Sequence, residues 1–386
     1  MPLEASDIFN RLKEWPHRGV GTEEELEARE MLITLLSAEY EVDITEEGFD
    51  APPSYVRFFW LNALVCATAV MAANLMPLIM VLVGLLGFVS HFLFIDWRVS
   101  PLIWWGAQTP TANLVASKGT GRRLYILMAH LDSAPASFAY RPGQVQNFAL
   151  SVYVATVLLA CGVLVPLVSS FGAGIDLTTR LVIAAAILGQ AVLASIDFWR
   201  FGYTPGANDN LSGVAAATAA ASHLWRHMPD DAEVRLVITS AEEAGMLGAQ
   251  HYWQTHRDEL KERDTYVVNI DTVGSKRLKY VKNSGTFTNS HYDNALTDAA
   301  FVAVSSNPVF ARIEAGTHKV GDFDSIWFQR DGIPAVTIAS YDNHNLMPAI
   351  HTMEDTIAKV DLGQVGKAAK FAEALVRMTP GNSKRH

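Results

Sequence analysis

From Phe58 to Ile95 the chain runs for 38 residues without an Asp, Glu, Lys or Arg. A helix crossing the apolar layer of a bilayer needs about 20 such residues, so the run fits two helices better than one. Met76-Pro77 offers the break between them, because proline cannot continue a helix that precedes it. A second uncharged stretch starts near Asn147 and lasts to Ile175, turns through Asp176 to Arg180, and continues as Leu181 to Ile196. Core helices seldom stay apolar on every face for so long. The expectation is therefore four spans in two hairpins, residues 58–96 and 147–196. Composition agrees: half the residues are hydrophobic, 18% are charged, and the mean hydropathy is +0.15.

Aromatic residues Phe58, Phe59, Trp60, Phe94, Trp97, Phe198, Trp199 and Tyr203 fall at the outer ends of both hairpins, where an interfacial belt would lie. Arg57, Arg98, Arg141 and Arg200 gather at the same ends, against Arg180 alone in the opposite turn. That bias predicts a polar domain on the cytoplasmic side. The N-terminal MPLEASDIFNRLKEWPHRG has no apolar stretch behind a basic start, so no cleavable leader is expected. Polar groups within the spans are few (Asn62, Asn74, His91, Gln190) and form no charge pair, which suits an anchor in membrane lipid more than a conduction path. A net charge of −10 argues against nucleic acid as a partner, and Cys66 and Cys161 lie in apolar runs unsuited to a disulfide framework.

Without the hairpins, residues 1–57, 97–146 and 197–386 suffice for one α/β domain. Its polar part repeats one arrangement, an apolar β-rich run that ends in a metal-type side chain. Leu124 to Ala129 leads into His130-Leu-Asp132, Val234 to Thr239 into Ser240-Ala-Glu242-Glu243, and Tyr266 to Ile270 into Asp271. Pro334 to Ala339 is followed, after a loop, by His351. Between the first two lies Gly206-Ala-Asn-Asp209-Asn-Leu-Ser-Gly213, opening an alanine-rich helical run. Strands alternating with helices imply a mainly parallel sheet, whose ligands bind beyond the carboxyl ends of the strands. Two carboxylates about 4 Å apart repel by roughly 4 kcal/mol at an effective dielectric of 20, so three carboxylates and two imidazoles at one edge call for a cation. Nitrogen and oxygen donors without thiolate suit zinc, with manganese or cobalt as substitutes.

The segments AHLDS, GANDNLSGVA, SAEEAGMLGA, VNIDTVG and IHTMEDTIAKVD resemble the aminopeptidase Y and bacterial leucyl aminopeptidase family of co-catalytic zinc peptidases. That superfamily also holds glutamate carboxypeptidase II, glutaminyl cyclase and the transferrin receptor. The resemblance covers the whole polar domain from Arg18-Gly-Val-Gly-Thr22 onward. It implies a zinc-peptidase (phosphorylase/hydrolase-like) fold, two zinc ions, and a peptide substrate with a free N-terminus. Position by position, it implies Asp209 as a bridging ligand, His130 and Asp271 completing one metal site, and Glu243 and His351 completing the other. Glu242 would be the general base that deprotonates the attacking water, and Asp132 would hold the far nitrogen of His130. The family's peptide bond after the bridging Asp is often cis, here Asp209–Asn210.

Two departures stand out. His130 and Asp209 are 79 positions apart, much farther than in relatives, and the excess matches the second hairpin as a loop insertion. Each insertion must cross the membrane an even number of times, since its flanks belong to one domain. The other departure is Asp324-Ser-Ile-Trp-Phe328, where relatives often have His after the Asp. Rival readings are glutaminyl cyclase chemistry on one zinc, hydrolysis of a small-molecule amide, and a non-enzymatic receptor-like scaffold. His227 and His251 read as packing or surface residues, His344 as a loop residue near substrate, Glu23 to Glu30 as the solvated face of a helix capped by Thr22, and the Gly381–His386 tail as disordered.

Overall fold

The computed structural model describes residues 3–97 and 99–379; Arg98 and the Gly381–His386 tail, both singled out above, lie outside the described residues. Its strands are β1 (Asp43–Ala51), β2 (Thr109–Lys118), β3 (Arg123–His130), β4 (Ala232–Thr239), β5 (Asp264–Asp271), β6 (Arg277–Gly285), β7 (Ser290–His291), β8 (Glu314–Lys319) and β9 (Ala335–Tyr341). The α-helices are α1 (Ala5–Leu12), α2 (Glu23–Glu39), α3 (Val56–Met71), α4 (Pro77–Phe92), α5 (Phe148–Ser170), α6 (Leu177–Phe201), α7 (Gly213–Arg226), α8 (Leu247–Glu262), α9 (Ala295–Ser306), α10 (Ile326–Arg330) and α11 (Leu362–Met378). The chain divides into two units. One comprises residues 1–53, 109–134 and 203–386, the other residues 54–108 and 135–202.

The first unit is built on a single sheet in the order β1-β2-β4-β3-β5-β9-β6-β7, with β8 paired to β6. At its centre β4, β3, β5 and β9 run parallel. These are the four strands read from the sequence. They are apolar on both faces because both faces are covered, as β3 illustrates with Leu124 through His130 all buried. The flanks are antiparallel: β1 on β2, β2 on β4, and β6 on β9. Strand β1 was not legible in advance. Its DITEEGFDA sequence is charged and half exposed, as suits the outermost strand of a sheet.

One face of the sheet carries α1, α7 and α11 in a continuous apolar core that includes Phe9, Leu36, Leu127, Leu236, Ile270 and Phe371. Helix α7 is buried on nearly every side, which its alanine-rich sequence permits. Its first residue, Gly213, lies so close to β5 that a Cβ there would stand 2.3 Å from the Ile270 carbonyl oxygen. The other face packs Met128, Val237, Tyr252, Trp327 and Phe328. Thr22 caps α2 as expected, accepting from the Glu25 amide at 3.4 Å.

The second unit holds α3 to α6. Three of its helical segments, Pro77–Trp97, Val145–Ser170 and Leu177–Phe201, are long and apolar enough to cross a membrane. Helix α3, the fourth expected span, has 16 residues and covers about 24 Å, short of the roughly 30 Å apolar layer. Beyond its end the Asn74 side chain donates to the Ile175 carbonyl at 2.8 Å and accepts from Ser169 Oγ at 3.0 Å, tying the two turns together. Helix α4 then starts at Pro77, the break read from the sequence. Ala63, Cys66, Val70, Leu159, Ile187 and Ala191 pack together inside the bundle. Helices α4 and α5 meet at glycine, where a Cβ on Gly84 would lie 2.0 Å from the Gly162 carbonyl oxygen.

The outward faces are as apolar as the inward one: Leu78, Leu82, Val157, Leu164, Val182 and Leu193 are each more than half exposed. Of the expected aromatic belt, Trp97 and Trp199 are exposed, whereas Phe58 and Phe94 turn inward onto each other at 4.2 Å between centroids. Tyr203 belongs to the first unit, where its hydroxyl donates to the Pro53 carbonyl at 2.9 Å. Near the end of α6, Asp197 is buried and accepts from Arg141 Nε at 2.7 Å.

Candidate metal centre

Because β3, β4, β5 and β9 are parallel, everything that follows their carboxyl ends arrives at one edge. His130 closes β3 in register with Thr239 of β4, and Asp271 closes β5 in register with Ala339 of β9. Glu242 and Glu243 follow β4, and the loop after β9 brings His351 back to the same edge. Asp209 comes from the segment before α7. The peptide between Asp209 and Asn210 is cis, as the resemblance implies. Asn210 then bridges two elements: its Oδ1 accepts from the Gly213 and Thr272 amides at 2.9 Å each, and its Nδ2 donates to the Ile270 carbonyl at 3.1 Å. Ala241, Thr272 and His351, all at or beside candidate ligands, have left-handed backbones with φ of 56°, 52° and 54°. Each costs of order 1–3 kcal/mol, which the surrounding packing must offset.

The two oxygens of Asp209 serve two separate groups. Oδ1 lies 3.3 Å from His130 Nε2, which is itself 3.6 Å from Asp271 Oδ2. Oδ2 lies 3.1 Å from His351 Nε2, which is 3.2 Å from Glu243 Oε2. A zinc ion with bonds of about 2.1 Å in tetrahedral geometry has donor-to-donor edges of about 3.4 Å, and both triads match that spacing. Glu243 Oε1 is buried with no hydrogen-bond partner, a further sign of a donor set shaped for a cation. Candidate triads are thus His130, Asp209, Asp271 and Asp209, Glu243, His351, with Glu242 beside His130 and Glu243.

The electrostatics point the same way. Burial pushes Glu243 up to about 7 and Glu242 well above the ordinary carboxylate range, although His130 pulls Glu242 back. Burial would also raise Asp209, yet hydrogen bonds from His130 and His351 hold it well below its usual value. For His130 burial works downward, but the charge of Glu242 and contacts with Asp132, Asp209 and Asp271 raise it well above 6.5. A carboxyl lifted toward neutrality is matched to proton transfer.

Asp132 lies beside His130 Nδ1 and also reaches the turn after β4. The near neighbour of His130 Nδ1 is the Asp132 carbonyl oxygen at 3.1 Å, and its carboxylate lies at 3.6 Å. The carboxylate also accepts the Glu242 amide at 3.1 Å and the Glu243 amide at 3.0 Å, fixing the turn that carries both. Three further residues escaped the sequence reading as site residues. Asp355, four positions after His351, accepts the Asn208 and Asp209 amides at 2.8 and 3.0 Å. Asp324 is fully buried, accepts from Thr239 Oγ1 at 2.6 Å, and is pushed up to about 7 by burial. Arg18, also fully buried, donates to main-chain carbonyls next to the site. His344 is exposed on its loop and His227 is exposed at the end of α7, whereas His251 stacks on Phe49.

At the carboxyl edge of a parallel α/β core, buried imidazole and carboxylate donors thus form a candidate metal centre. Residues 191–376, just under half of the chain, match the model of peptidase family M28. The match includes Asp209, Glu242, Glu243, Asp271 and His351 and begins after His130 and Asp132. Over 180 residues the chain is 27% identical to aminopeptidase YwaD of Bacillus subtilis (strain 168), covering 45% of this chain and 38% of that protein. The chain therefore spans well under half of that relative's length. Among solved structures, a glutaminyl cyclase from Bacteroides thetaiotaomicron aligns at a TM-score of 0.59 and 14% identity, over 100% of this chain and 99% of the other. A leucine aminopeptidase precursor from Bacteroides thetaiotaomicron VPI-5482 aligns at 0.58 with the same identity and coverage. These two likenesses establish the fold alone. Their names differ in chemistry, so the fold does not choose between hydrolysis and cyclisation.

Proposed function

We propose that the chain is a membrane-anchored aminopeptidase with a dinuclear zinc centre. The observation that carries this reading is the sharing of Asp209 between two donor triads, each spaced like an edge of a zinc tetrahedron. His130, Asp209 and Asp271 would hold one ion, and Asp209, Glu243 and His351 the other. When bound, the ions supply Lewis-acid polarisation of a carbonyl and acidify water. Glu242 would take the proton of the attacking water on its carboxylate and return it to the leaving amine. Its place between His130 and Glu243, together with its raised proton affinity, supports that role. The preference for a free N-terminus rests on the likeness to an aminopeptidase.

The test is metal content and hydrolysis of aminoacyl-nitroanilides by the detergent-purified chain, beside N-acetylated versions. Near two zinc per chain, with cleavage of free-amine substrates only, is the expected result. Two metals with indifference to acetylation would leave hydrolysis of another amide. One metal with cyclisation of N-terminal glutamine would favour the glutaminyl cyclase reading that the fold neighbour suggests.

The anchor is proposed from the exposed apolar faces of α4, α5 and α6, which would otherwise meet water over their whole length. Residues 54–108 and 135–202 each leave and rejoin the first unit, so an even number of crossings is required of each. Helix α3 would complete its crossing with Ala72 to Met76. Arg57, Arg141 and Arg200 at the helix ends favour a cytoplasmic catalytic unit over the opposite orientation. The full chain should remain in the membrane pellet after an alkaline carbonate wash and leave it only with detergent. Release by carbonate would sink the spanning reading.

A further inference from the structure

The second insertion splits the connection between His130 and Asp209, leaving the first unit after Ala134 and rejoining it at Tyr203. Two ligands of one metal site thus stand on opposite sides of a long excursion. What keeps them at 3.3 Å is not evident from the strands, because Asp209 lies on none of them.

Arg18 occupies the neck of that excursion. Its side chain is fully buried. On the departing side, Nε donates to the Leu131 carbonyl at 2.8 Å, one residue after His130. On the returning side, Nη1 donates to the Pro205 carbonyl at 3.1 Å and Nη2 to the Gly206 carbonyl at 2.7 Å, three residues before Asp209. The Arg18 backbone is tied to the departing strand as well: its amide donates to Ser133 Oγ at 2.9 Å, and its carbonyl accepts the Ser133 amide at 3.1 Å. Gly206 makes the approach possible, since a Cβ there would lie 2.9 Å from Nη2. Asp355 completes the hold from the other side through the Asn208 and Asp209 amides.

We propose that Arg18 is a positioning residue of the metal centre, holding the two ends of the second insertion together so that His130 and Asp209 address one ion. This inference rests on the metallopeptidase reading. The planar guanidinium suits the task because its donors are fixed in a fork and reach both chain segments at once. A lysine keeps the charge but puts all its donors on one atom, so it satisfies one side of the neck and leaves the other carbonyls buried and unpaired.

The experiment is Arg18→Lys in the full detergent-solubilised chain, titrated with zinc and with cobalt against a chromophoric chelator. Loss of about 10–100-fold in affinity for one of the two ions, with an altered cobalt visible spectrum at that site, is expected. The other ion should lose less, because only its shared ligand Asp209 depends on the neck, whereas the first site relies on the neck for both His130 and Asp209. Wild-type affinity for both ions in a folded Arg18→Lys protein overturns the inference while leaving the peptidase reading intact. Absence of metal binding by the wild type overturns both. Should the variant not fold, hydrogen exchange on the wild type decides: zinc loading is expected to slow the amides of Arg18 and Ser133, which are not ligands, and no change there overturns the proposal.

Discussion

Glu242→Gln is expected to leave the metal content unchanged and to lower kcat by about 10²–10⁴-fold. The substitution keeps the size and shape of the side chain and removes only its capacity to accept a proton. Its backbone amide still reaches Asp132, so the turn that carries Glu243 is not disturbed. The pH profile adds a second readout. Burial and the neighbouring carboxylates of Glu243, Asp324 and Asp271 raise Glu242 above the ordinary range. Glu242→Gln should also remove the acidic limb of kcat/KM against pH, because the carboxylate that must lose its proton there is gone. A variant with full turnover and an unchanged profile would remove Glu242 from the reaction.

The second large effect is expected at Asp132. Its carboxylate accepts the two amides of Glu242 and Glu243, while His130 Nδ1 leans on its carbonyl oxygen. Asp132→Asn preserves the carbonyl and turns one carboxylate oxygen into a donor that faces a buried N–H. One amide is left without an acceptor at a cost of about 1–3 kcal/mol, seen as a lower thermal midpoint. Re-aiming the Glu242–Glu243 turn by about 1 Å should also cost about 10²-fold in kcat. Metal at His130 should survive. The opposite pattern, loss of one metal with unaltered thermal stability, would mean that the carboxylate acts on the imidazole, as the family resemblance implied.

The central strands were legible because a parallel strand covered on both faces is an unbroken apolar run, and in β3 and β5 that run ends in a chemically distinctive residue. The structure brings His130, Asp209, Glu242, Glu243, Asp271 and His351 to one edge for the same reason. Arg18 and Asp355 were not legible, because their partners are main-chain carbonyls and amides. Such groups leave no mark on the residues that own them, and their spacing follows no helical or strand period. The tie beyond the end of α3 was hidden for a related reason. Nothing in the uncharged run announces that Asn74 will bond to Ile175, 101 positions further along the chain. The half-exposed β1 gave no apolar run at all, and only its pairing with β2 makes it a strand.

The two insertions also set the order in which the molecule can be made. Strand β1 pairs with β2 across the first insertion, and β3 pairs with β4 across the second. A chain emerging from the ribosome therefore releases half of each pair well before its complement exists. His130 is made long before Asp209, and every helix of the apolar bundle is complete before α7 begins. The bundle has all its parts while the sheet still lacks its central strands β4, β5 and β9. The helices of the bundle can thus assemble before the sheet can close, and the candidate metal centre, which needs His351, cannot form until every strand has been made.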